Sequence, residues 1–111
     1  MADVTIAVQQ ATREGLTAAY TGSLKIADTH FVNNDGKTLL HLKNGTGEAT
    51  ITIATPQTVD GLAVADRAVT VPANAERFVG PFPPGIYNDA GHNLSFNVTG
   101  VTGLEVAALR V

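Results

Sequence analysis

Apolar residues along this chain recur mostly at every second position, the period of a strand with one buried face. Val4, Ile6 and Val8 alternate with Thr5 and Ala7, which predicts a first strand. Residues 9–15 have no clear period and would hold one turn of helix at most, and 16–20 read as extended up to a break at Gly22-Ser23. Asn33-Asn34-Asp35-Gly36 is the strongest turn, because Asn and Asp tolerate left-handed backbone and glycine adopts it without steric cost. Residues 37–43 follow as a strand with Thr38, Leu40 and Leu42 on one face and Leu39, His41 and Lys43 on the other. After Asn44-Gly45-Thr46-Gly47, residues 48–55 set Ala49, Ile51 and Ile53 against Thr50, Thr52 and Ala54, so 37–55 reads as a hairpin.

Residues 57–67 form a long connection that Val59, Leu62 and Val64 are expected to pin to the body. Short strands are predicted over 68–71 and 76–79. Then comes Gly80-Pro81-Phe82-Pro83-Pro84-Gly85, a density of breakers expected to exclude helix, since proline removes a backbone donor and clashes with the preceding turn. Asn88-Asp89-Ala90-Gly91 turns the chain into a strand on Leu94, Phe96 and Val98. The last strand alternates Leu104, Val106 and Ala108 with Glu105, Ala107 and Leu109. No window carries a 3.6-residue apolar stripe. The pattern predicts an all-β protein: a single antiparallel β-sandwich spanning 1–111, jelly-roll or immunoglobulin-like, with short strands and Pro/Gly corners.

Composition narrows the chemistry. At 111 residues the chain is of one-domain size, able to bury roughly 65% of its unfolded surface without staples. Cysteine is absent, which removes disulfides and thiolate metal sites. The opening Met1-Ala2-Asp3-Val4-Thr5-Ile6 lacks a basic, then apolar leader, and no run approaches the ~18 apolar residues of a membrane span, so a soluble protein without membrane partners is expected. Net charge is −3 with Lys and Arg scattered singly, which argues against the basic stripe of a nucleic-acid binder. Charged residues make up only 15% of the chain, so much of the surface must be Thr, Asn, Ala and Gly, a composition suited to packing against protein neighbours.

Catalytic and ligand motifs are sparse. His30, His41 and His92 lack the spacing of a zinc site, and His41 is expected to be an exposed polar residue on its strand. Asp89 and His92 share a turn and could share a hydrogen bond. Ser23 and Ser95 lack a Gly-x-Ser-x-Gly context, and the carboxylates Asp60 and Asp66 read as a turn residue and a cap or partner of Arg67. Gly45-Thr46-Gly47 lacks the glycine, lysine and helix of a phosphate loop. Asn44-Gly45-Thr46 and Asn97-Val98-Thr99 match the glycosylation pattern, and with no secretory leader expected both read as chance matches. Neither an enzyme nor a cofactor is expected. Phe78, Phe82 and Tyr87 could line a sugar platform, which keeps a carbohydrate-binding module as an alternative. The scarcity of aromatics instead points Phe31, Phe78 and Phe96 to the core and leaves Phe82, between prolines, as an exposed anchor.

Asn34-Asp35-Gly36-Lys37-Thr38 is followed by Lys43-Asn44-Gly45, by 58–67 (Thr-Val-Asp-Gly-Leu-Ala-Val-Ala-Asp-Arg) and by Val69-Thr70-Val71-Pro72-Ala73. Gly80-Pro81-Phe82-Pro83-Pro84, Tyr87-Asn88 and a final alternating strand complete the series. In this order the chain resembles the small β-rich structural proteins of tailed-bacteriophage virions, of the head-decoration (cement) type, with head–tail joining and tail proteins as neighbours. The resemblance implies a subunit made in the bacterial cytoplasm and located in the virion. It would bind major capsid or other virion subunits in many copies, with self-association possible. Contact residues do not carry over from it. From the residues themselves, the partner-binding candidates are Val4, Ile6 and Val8, able to add to a neighbour's sheet, together with Phe82 and Tyr87.

Overall fold

Strand alternation leaves each segment with one apolar side, and the fold closes two sheets over those sides. The computed structural model describes residues 3–22, 24–100 and 103–110 and is all-β. Its strands are Asp3–Ile6 (β1), Val8–Gln10 (β2), Thr29–Asn33 (β3), Thr38–Lys43 (β4), Ala49–Ile53 (β5), Thr58–Val59 (β6), Leu62–Ala63 (β7), Arg67–Val71 (β8), Glu76–Val79 (β9), Asn93–Thr99 (β10) and Glu105–Arg110 (β11), with one helical turn, Pro84–Tyr87 (α1), before β10. The first sheet runs β1-β3-β10-β5-β8, the second β2-β11-β4-β9, and β6-β7 form a separate two-stranded hairpin. The β-sandwich expected from the alternation is present.

Leu94, Phe96 and Val98 of β10, with Ile51 and Ile53 of β5 and Val32 of β3, face Leu40 and Leu42 of β4 and Val106 and Ala108 of β11, all at 1% exposure or less. At ~25 cal/mol per Å² of apolar surface removed from water, such side chains each contribute about 1.5–3 kcal/mol before conformational entropy is counted. His30 is buried among them, stacked on Phe96 at 5.0 Å between ring centroids.

Three features depart from the sequence expectation. Strand pairs are antiparallel except where the amino-terminal segment joins: β1 runs parallel to β3, and β2 parallel to β11. The expected single strand over Val4, Ile6 and Val8 breaks at Ala7 and passes from one sheet to the other, so this segment edges both layers. Residues 37–55 are not a hairpin, because β4 and β5 lie in opposite sheets and the Asn44–Gly47 turn crosses between them. The reason is that Leu40 and Ile51 both need cover, which facing sheets supply and a shared sheet would not.

Residues 16–20 form no strand. Thr21 makes an isolated bridge to Val106, and the Gln9 side-chain amide stands in for a ladder by accepting from Ala19 N and donating to its carbonyl, both at 2.8 Å. The Ser23 break lies outside the described residues. Contrary to the expectation that the Pro/Gly density excludes helix, α1 forms one turn, because Pro84 opens it where no amide hydrogen is needed.

The corner 80–88 is fixed by a buried amide pair. Asn34 Nδ2 donates to the Phe82 carbonyl (3.0 Å) and to Asn88 Oδ1 (2.7 Å), while Asn88 Nδ2 donates back to the Asn34 carbonyl (2.7 Å). Asn34 Oδ1 accepts from Gly36 N at 3.0 Å, closing the β3–β4 turn. Gly80 begins the corner with φ +127, and a Cβ there would sit 2.9 Å from the Thr38 carbonyl, so glycine is required. Asn34→Asp therefore exchanges two buried donations for a carboxylate aimed at two acceptors. The expected loss of unfolding free energy in urea titration is about 3 kcal/mol or more.

Candidate functional site

The open side of the sandwich, between the β8 and β9 edges, gathers the residues best placed to meet another molecule. Arg67 lies on the core-facing side of β8, in line with Val69 and Val71, and Val79 on the core-facing side of β9, opposite Leu40. Between them the corner 80–87 floors a groove of about 530 Å³ whose walls include Arg67, Phe78, Pro81, Ile86 and Tyr87. A second depression of about 380 Å³, lined by Thr55, Val64 and Asp66, shares Arg67, Ile86 and Tyr87 with it.

Phe78 and Phe82 occupy the reverse of their expected places. Phe82 is 2% exposed and Tyr87 9%, their rings edge to face at 5.2 Å, so Phe82 is a core residue and not an exposed anchor. The Asn34 donation to the Phe82 carbonyl turns this ring inward between the flanking prolines. Phe78, expected in the core, is 68% exposed, because its parity on β9 puts it on the outer face of the second sheet. Phe31 is half-buried and Phe96 buried. Phe78, Phe82 and Tyr87 all line the groove, with Phe78 alone exposed.

Among the amino-terminal candidates, Ile6 is buried at 3% exposure while Val4 and Val8 are half-buried. All three belong to edge strands already hydrogen-bonded on one side, so the segment is built into the domain and is not a free arm.

Tyr87 keeps one polar task. Its hydroxyl accepts from Arg67 Nε at 3.0 Å and holds the guanidinium above its ordinary value, first through that hydrogen bond and then through Coulombic attraction, against a desolvation effect that lowers it. Asp66 does not pair with Arg67. Its Oδ1 accepts from Thr55 N (3.1 Å) and Oγ1 (3.2 Å), which leaves Arg67 without a carboxylate partner among the described residues.

A second cluster covers the outer face of the second sheet. His41 is 7% exposed, contrary to the exposed polar role expected of it. The Phe78 ring stacks on it at 4.2 Å with planes 6° apart, and Tyr20 reaches over the small Ala107 to place its hydroxyl 2.7 Å from His41 Nδ1. Glu76 Oε1 lies 2.9 Å from Nε2 without the alignment of a hydrogen bond. Lys43 Nζ stands 4.8 Å above the Tyr20 ring. These contacts tie the 11–21 loop and the β9 edge onto β4; the sequence signal was the shared parity of His41 with Leu39 and Lys43, hidden because the covering residues come from distant segments.

The connection 57–67 is also not as expected. Leu62 does not pin it: β6 and β7 pair only with each other, around an Asp60-Gly61 turn with φ 53 and 75, and Leu62 is 69% exposed. Val64 is half-buried, and the Val59 side chain lies outside the described residues. In the 88–92 turn, Asp89 Oδ1 accepts from Gly91 N and Asn93 N, and His92 N donates to the Asp89 carbonyl, so the two side chains do not share the expected bond. Among the described residues no group of three metal-ligating side chains converges, and no helix is long and apolar enough to cross a membrane.

The exchanged roles of Phe78 and Phe82 give a direct expectation for urea titration. Phe82→Ala should cost about 3–5 kcal/mol of stability, the range for a buried phenylalanine, and Phe78→Ala under about 1 kcal/mol.

No family model, curated protein or solved structure matches this chain.

Proposed function

We propose that this chain is a structural binding subunit, in its most specific form a capsid-decorating protein of a tailed-phage virion that binds major capsid subunits in many copies. The observation that carries the binding reading is the exposure of Phe78 at the wall of a groove that holds an arginine without a carboxylate partner among the described residues, with Leu62 exposed on the β6–β7 hairpin. Aromatic side chains and arginine are the residues enriched in protein–protein contacts and in their energetic centres. The virion reading rests on the ordered series of turns and core strands from Asn34 to the final strand, together with the low charge of the chain. A rigid sandwich fits such work because little conformational entropy is lost when it docks. Many copies, each making modest contacts across capsid-subunit joints, add interface free energy to a shell strained by packaged DNA.

A head–tail joining or tail role is the neighbouring alternative, and the same experiment separates them. Purified protein mixed with expanded, undecorated shells is expected to co-sediment at near-stoichiometric copy number, and Phe78→Ala to weaken binding by about tenfold or more. Wild-type protein that leaves the shells bare overturns the capsid reading and directs the search to neck and tail assemblies.

A further inference from the structure

Among the described residues, the β6–β7 hairpin is held to its own subunit only at its base, where the Gln57 side-chain amide donates to the Asn88 carbonyl at 2.7 Å. The residues of 56–63 whose side chains are described are all exposed, and the two strands pair only with each other. An isolated two-stranded hairpin is marginal in water, and an exposed leucine beside its tip adds apolar surface that no described residue covers. At the tip Asp60 carries a carboxylate with no hydrogen bond or ion pair among the described residues.

The groove between the β8 and β9 edges has the opposite character. Phe78, Pro81 and Ile86 give it apolar walls beside polar surface, and its one formal charge is the Arg67 guanidinium, fixed through Nε by Tyr87. Among the described residues the two terminal nitrogens of Arg67 have no acceptor. Arm and groove are thus complementary in polarity and charge: Leu62 suits the walls and Asp60 the guanidinium, which pairs with a carboxylate through parallel N–H donors.

The base of the arm, at Val64 and Asp66, lines the depression that shares Arg67 with the groove. A two-fold axis beside this junction would make the same contact twice, the self-complementary arrangement of an isologous dimer. We infer that two copies of this chain associate by exchanging β6–β7 arms, each inserting Leu62 into the partner's groove and setting Asp60 against its Arg67. This goes beyond the capsid reading and does not depend on it, since a monomer could decorate a shell and a dimer could form off it.

Sedimentation equilibrium of the full chain tests the exchange. Wild type should show concentration-dependent dimers that weaken with added salt, as exposed charges are screened. Asp60→Arg and Arg67→Glu should each weaken association by about tenfold or more, since each sets like charges together at both contacts. Mixed one to one, these two variants should associate with each other and not with themselves, because the heterodimer restores an opposite pair at both contacts. Asp60→Asn removes the charge while keeping a residue that tolerates the left-handed turn, and should weaken association without altering the fold. Leu62→Asp, on the exposed arm, tests the apolar half independently should Arg67→Glu disturb Tyr87. Wild-type protein that stays monomeric up to about 1 mM overturns the inference. So does a mixture that associates no better than its components, and either result leaves shell binding to be judged on its own assay.

Discussion

The reciprocal amide pair between Asn34 and Asn88 is the constraint on which the functional side of this molecule depends. Two buried amides satisfy each other and also hold the Phe82 carbonyl, so one turn, one corner and the entry to β10 share a single set of hydrogen bonds. With that carbonyl fixed, the Phe82 and Tyr87 rings face the core, and Tyr87 can present its hydroxyl to Arg67. The groove and its uncompensated cation follow from a polar contact a full corner away. Buried polar groups of this kind are worth most when every donor and acceptor is met, as most are here.

The alternating strands were legible in the sequence because their period is a local property. Leu40 and Leu42, Ile51 and Ile53, and Leu94, Phe96 and Val98 all face the core as their spacing requires. Sheet membership was not legible. A turn as good as Asn44–Gly47 serves equally to fold a strand back beside its predecessor or to carry it across the core, and only the competition for cover among distant strands decides. For the same reason Phe78 and Phe82 were misplaced. Their surroundings in sequence differ by prolines, whereas their burial depends on strand parity in one case and on Asn34, far away in the chain, in the other.

The candidate site was legible only in part. The stretch 80–87 stands out in sequence for its breakers and aromatics, and it does floor the groove. Arg67 reads in sequence as the partner of its neighbour Asp66, but Asp66 ends the connection and accepts from Thr55 whereas Arg67 opens β8 and donates to Tyr87. The exposure of Leu62 was hidden by the opposite default, that leucine in a long connection anchors it. A two-residue turn at Asp60-Gly61 closes the connection on itself and leaves that side chain outside.

Strand order also sets the schedule on which this molecule can be completed during synthesis. The two latest strands, β10 and β11, occupy interior places, β10 between β3 and β5 and β11 between β2 and β4. The first layer stays divided between β3 and β5 until β10 has emerged from the ribosome, and the second between β2 and β4 until β11 has, so their oily inner sides stand open. A nascent chain of this design gains nearly all its cooperativity at once and late, which exposes it to chaperones and to unwanted pairing throughout elongation.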